Sequence, residues 1–106
     1  MTLRTASKAT FTAGLLFILP VLAQAQTTFP QAAQSLGGNL RADPAQDAKQ
    51  LGTLGKGEVL ELVEDTGQEY HGYTWFKVNA RGYTGFVWGG MICSEGHHLT
   101  GVFAAC

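Results

Sequence analysis

Tyr73 to Cys93 reads YTWFKVNARGYTGFVWGGMIC. Two aromatic and β-branched runs, Trp75-Phe76-Lys77-Val78 and Tyr83-Thr84-Gly85-Phe86-Val87-Trp88, flank Asn79-Ala80-Arg81-Gly82. Runs of that composition around residues that accept unusual backbone angles predict a β-hairpin. Upstream, Val59 to Glu64 forms the clearest single strand, and Asp65 to Tyr73, with Gly67 and Gly72, reads as a loop. Leu51 to Leu54 and Asn39 to Ala42 are shorter strand candidates, the second ended by Asp43-Pro44, a turn-initiating pair. Turn signals recur about every eight to twelve residues, which predicts an all-β fold, a small barrel or sandwich.

Strand alternation sorts the hairpin's side chains. Phe76 and Val78 share a face opposite Trp75 and Lys77, and Gly85 and Val87 oppose Phe86 and Trp88. Val78, Val87, Leu60 and Leu62 are the expected core. Trp75, Phe86 and Trp88 then face outward, with Tyr70 or Tyr73 beside them. They either line a groove or cap a thin barrel core, and alternation leaves both readings open.

The N-terminus carries an address. Arg4 and Lys8 precede a mostly apolar run from Phe11 to Ala23, and Ala23-Gln24-Ala25 has the small-x-small spacing of a signal-peptidase site. An apolar run of about 13 residues is short of the roughly 20 that span a bilayer. Residues 1–25 are therefore expected to be a secretory signal peptide, and residues 26–35, polar and alanine-rich, a flexible lead-in. No cysteine lies near the cleavage site, so no lipid anchor and no stable membrane insertion are expected. The destination is the periplasm or the exterior.

Beyond residue 25 the chain carries five Lys and Arg against eight Asp and Glu, a net charge of −3. Nucleic acid is excluded as an expected partner, because phosphate neutralisation needs a basic patch. The acids from Glu58 to Glu69 read as a solvated strand face with a polar loop, and their spacing does not match a twelve-residue calcium loop.

Cys93 and Cys106 are expected to form a disulfide, the default in an exported chain, closing the tail 94–106; pairing between two chains is the alternative. A zinc site made of these cysteines with His97 and His98 is disfavoured, because structural sites use ligands paired at short spacings on both sides. A cysteine nucleophile needs an oriented base and a cleft, and neither cysteine has them in the sequence. No catalytic residues, metal or cofactor are expected.

In order, Leu40-Arg41-Ala42-Asp43-Pro44, Leu51-Gly52-Thr53-Leu54-Gly55-Lys56-Gly57-Glu58-Val59, Trp75-Phe76-Lys77-Val78, Gly82 and Thr84-Gly85-Phe86-Val87 resemble the bacterial Src homology 3 (SH3-type) domains. The resemblance covers residues 36 to 93 and implies a small SH3-like barrel of about five short strands. Three features depart from the family: Phe86 stands where tryptophan is common, with Trp88 two positions later; the Asp65–Tyr73 loop is long; and the tail after Cys93 is extra. The Trp88 to Cys93 ending is similar to that of small periplasmic or secreted SH3-type proteins of Gram-negative bacteria.

By resemblance the ligand groove holds Trp75, Trp88 and Met91; alternation adds Phe86, and Tyr73 completes the candidate set. The expected function is a non-catalytic, monomeric, exported binding module for a cell-envelope ligand, peptidoglycan peptide or glycan. The alternative is a protein-interaction domain that partners or inhibits an envelope enzyme. Loss of cell-wall binding on Trp75→Ala or Trp88→Ala discriminates the two.

Overall fold

The computed structural model describes residues 27–106; the signal peptide expected at 1–25 lies outside them. The strands are β1 (Gln31–Leu36), β2 (Asn39–Arg41), β3 (Gln50–Thr53), β4 (Lys56–Tyr70), β5 (Tyr73–Ala80), β6 (Tyr83–Trp88), β7 (Ile92–Ser94) and β8 (Ala104–Ala105). A 3₁₀ turn, Gly89–Met91, joins β6 to β7. The fold is all-β, with eight strands rather than about five.

The hairpin at the centre follows from its turn. Arg81 and Gly82 sit at φ of 51° and 82°, the two-residue geometry whose twist matches the flanking strands. Ala80 pairs with Tyr83, and the ladder runs back to Trp75 opposite Trp88. Arg81, strained for a non-glycine residue, is held by an ion pair to Glu58 (2.5 Å) and by Nη2 donating to Thr53 O (3.1 Å).

The loop expected at Asp65–Tyr73 is a strand instead. β4 continues to Tyr70, and only His71-Gly72 (φ 49° and 85°) turns the chain into β5. The polar residues between make a bulge, where the register shifts between Asp65 and Glu69. Asp65 Oδ1 accepts from Gly67 N (2.7 Å), and Thr66 Oγ1 donates to Trp75 O (2.7 Å). A bulge leaves the extra residues unpaired yet lets the ladder resume.

The lead-in expected at 26–35 is likewise corrected from Gln31 onward. β1 lies inside the sheet, paired with both β4 and β7, with Ala33 and Ser35 fully buried. Its inward residues are small, so the hydrophobic alternation that marks a strand is nearly absent from QAAQSL. The Ser35 hydroxyl is satisfied locally, accepting from Gly37 N (2.8 Å) and Gly38 N (3.3 Å).

Strand order is β3-β2-β6-β5-β4-β1-β7-β8. β1 and β2 are four places apart in that order, about 19 Å in a flat sheet. Yet only Gly37 and Gly38 join them, and the step from Leu36 to Asn39 reaches at most about 11 Å. The sheet must therefore curl until its sixth and second strands nearly meet, which gives the barrel.

Inside it the expected core residues Leu60, Leu62, Val78 and Val87 are all buried, with Phe76 the largest fully buried side chain. Leu99 and Val102, from the tail, join the same cluster. The tail is closed as expected: Cys93 and Cys106 form a disulfide with Cα atoms 4.9 Å apart. β8 adds parallel to β7, and Cys106 N donates to Ser94 O (2.8 Å).

Candidate functional site

One end of the barrel carries a cleft of about 420 Å³, within the size range of small-ligand sites. Trp75 and Trp88, cross-strand partners, bring β5 and β6 to it. Met91, from the 3₁₀ turn, and Tyr70 and His71, at the end of the β4–β5 hairpin, complete its apolar part. Asn39, Arg41 and Gln46, from β2 and the segment after it, add the polar part.

Of the five residues expected at a groove, Trp75, Trp88 and Met91 line this cleft together. Trp75 is only 3% exposed and stands outside the main core cluster, so it is the floor. Trp88 is half-buried and forms a wall. Tyr73 is not among the lining residues; its ring meets that of Trp88 edge-on at 5.5 Å and packs on Phe103 from the tail at 6.1 Å. Phe86, opposite Lys77 on the outer face, also lies outside the cleft.

Besides the Tyr73 ring, three contacts fix the Trp88 indole. Nε1 donates to Tyr70 O (2.8 Å), the Tyr70 ring packs edge-on at 5.9 Å, and the six-membered ring lies against Gly90. A Cβ at Gly90 would sit 2.4 Å from Cζ3 and Cη2 of Trp88, far inside van der Waals contact. Gly90→Ala is therefore expected to push the indole away from Tyr70 O and to cost about 1–3 kcal/mol, the usual range for overpacking. Hydrogen exchange of the Trp88 indole N–H reads this directly: protection should fall, and unchanged protection would refute the placement.

The sequence reading did not assign Arg41, Asn39, Gln46 or His71 to the site. His71 sits at the first turn position of a two-residue hairpin, where glycine follows it; an X-Gly pair between two strand runs was the available signal. Arg41 was visible only as part of the family motif. The acids from Glu58 to Glu69 lie elsewhere. Glu61, Glu64, Asp65 and Glu69 are exposed, Glu61 accepts from Asn79 Nδ2 (3.1 Å), and Glu58 serves Arg81 and Gly55 N. Cys93 and Cys106 spend both sulfurs on each other, and His98 Nε2 donates to Val102 O (2.8 Å).

Residues 36–92, more than half of the chain, match the bacterial SH3 domain family. The chain belongs to that family. No curated protein and no solved structure shows significant similarity to it. Bacterial SH3 domains are binding modules, commonly related to the cell wall. In this member β1 up to Ser35 and the closed tail lie outside the matched residues, yet both add strands to the same sheet. The family and the disulfide fit an extracytoplasmic location, and no helix among the described residues is long and apolar enough to cross a membrane.

Proposed function

We propose that this bacterial SH3 domain is an exported, non-catalytic module that binds a cell-envelope ligand, peptidoglycan peptide or glycan, in the cleft between Trp75, Trp88 and Met91. The observation that carries this reading is the Trp88 wall: a half-buried aromatic face, pinned at its nitrogen and at its back, beside an open cleft. Rigid aromatic faces give large contact area at low entropic cost, and they stack on sugar rings and on flat peptide groups. Export follows from the N-terminal pattern and agrees with the disulfide.

Co-sedimentation of the oxidised protein with purified peptidoglycan sacculi tests it. The wild type should pellet with the wall. Trp88→Ala should lose most of that binding, a weakening of about tenfold or more for truncating an anchoring aromatic, while keeping its β-sheet circular dichroism. Absence of wild-type binding at tens of micromolar would end the wall reading. Crosslinking for a protein partner would then follow.

A second cleft favours the protein-partner alternative enough to keep it. Leu51 (48% exposed) and Tyr83 (71% exposed) flank it beside edge strand β3, far along the β5–β6 hairpin from Trp88.

A further inference from the structure

The groove has a charge that the aromatic reading does not use. Arg41 follows the core residue Leu40, and its half-buried side chain lines the cleft. Nη1 donates to Ala48 O (2.8 Å), which braces the guanidinium against the segment between β2 and β3. Among the described residues the single ion pair is Arg81 with Glu58. Arg41 has no carboxylate partner there. No acidic side chain lines the cleft, although the chain beyond residue 25 has a net charge of −3.

An unpaired, half-buried guanidinium in an otherwise acidic domain favours an anionic group arriving from outside, since opposite charge and unused N–H donors act together. Its planar fork suits a carboxylate, which it grips through two parallel hydrogen bonds. Asn39 and Gln46 beside it supply amide groups that fit a peptide backbone.

We propose that the groove takes a carboxylate-bearing peptide, the carboxylate seated on Arg41 and the peptide lying against Trp88. This rests on the wall-binding reading and deepens it by selecting stem peptide over glycan. The sugar chain of peptidoglycan offers hydroxyl and acetamido groups, and where a peptide is attached the lactyl carboxyl is consumed in the amide. The stem peptide retains free carboxylates.

The test is calorimetry with a disaccharide tetrapeptide released from sacculi by a muramidase. Its free-acid form is compared with the same material amidated at its carboxylates, and with glycan strands freed of peptide by an amidase and then amidated at the lactyl carboxylates that this cleavage exposes. The free acid should bind, and amidation should weaken binding by about tenfold or more, the loss expected when a charge-assisted hydrogen-bonded pair is removed. Arg41→Gln should show a similar loss with the free acid and little further loss with the amidated ligand. Arg41→Lys, which keeps the charge without the fork, should fall between. The amidation arm changes only the ligand, so it stands even where the loss of the Ala48 contact disturbs the variants.

Equal binding of acid and amidated peptide overturns the assignment, as does binding of bare glycan equal to that of the free acid. In either case sacculi binding that Trp88→Ala abolishes would leave the wall reading intact. No binding of sacculi or muropeptide would remove both.

Discussion

Gly89→Ala is expected to lower unfolding stability by about 3 kcal/mol or more, beyond the usual range for an added methyl because the obstruction is backbone. A Cβ at residue 89 would stand 2.1 Å from Gly101 O and 2.6 Å from Thr74 O. Neither carbonyl can rotate away as a side chain would. Gly101 O accepts from Thr74 N (3.0 Å), and Gly89 O accepts from Phe103 N (3.0 Å). The methyl would therefore force the tail off β5 and uncover Leu99 and Val102. A domain of about 80 residues has only about 4–12 kcal/mol in all, so the loss is a large share. Urea unfolding followed by circular dichroism measures it. Gly52→Ala is the control, because a Cβ there meets nothing within 4 Å. A Gly89→Ala midpoint equal to the control's would contradict the packing.

Reducing the Cys93–Cys106 disulfide is expected to cost about 3 kcal/mol, by the chain-entropy relation for a loop of this length. The two cysteines are 13 positions apart. Oxidised and reduced wild type can be compared in urea without any substitution, so no packing change confuses the result. The lost stability should come with release of β8 and faster hydrogen exchange at Cys106 N, which donates to Ser94 O. Both perturbations act by undocking the same tail. Their combined cost should fall short of the sum, because residues sharing partners are not additive. Full additivity would mean that the tail docks as two independent pieces.

Much of this fold was legible because it is written in strong local signals. The β5–β6 hairpin carries aromatic and β-branched alternation on both sides of a glycine turn, and its inward residues Phe76, Val78 and Val87 are buried as that alternation requires. The cysteines announced the closed tail. What the sequence concealed was weak in amplitude or global in origin. β1 has Ala33 and Ser35 as its inward residues, too small to mark a core face. The length of β4 depends on a bulge that Asp65 and Thr66 support through hydrogen bonds to partners found only after folding.

The candidate site divides the same way. Trp75, Trp88 and Met91 could be assembled from alternation and family pattern. The division of labour between them could not: Trp75 becomes a floor because the neighbouring elements cover it, and Tyr73 becomes a brace because the tail brings Phe103 against it. Phe86 shares the outer face of β6 with Trp88 but does not line the cleft, because alternation reports the face of a strand and not the position along it. Arg41 entered the cleft only once β2 was seen beside β6, the two meeting at Arg41 and Phe86.

The interior place of β1 also decides when this chain can finish folding. One edge of β1 is met by β4, but its other edge waits for β7, and Gln34 reaches Glu95 across a sequence separation of 61. Contacts of that span are slow to form, because the loop must close before the ladder rewards it. A growing chain that has not yet produced residues 92–94 has no partner for that edge. Pairing of that edge of β1 is thereby deferred until residues 92–94 are available, and until then β1 is held in the sheet by β4 alone.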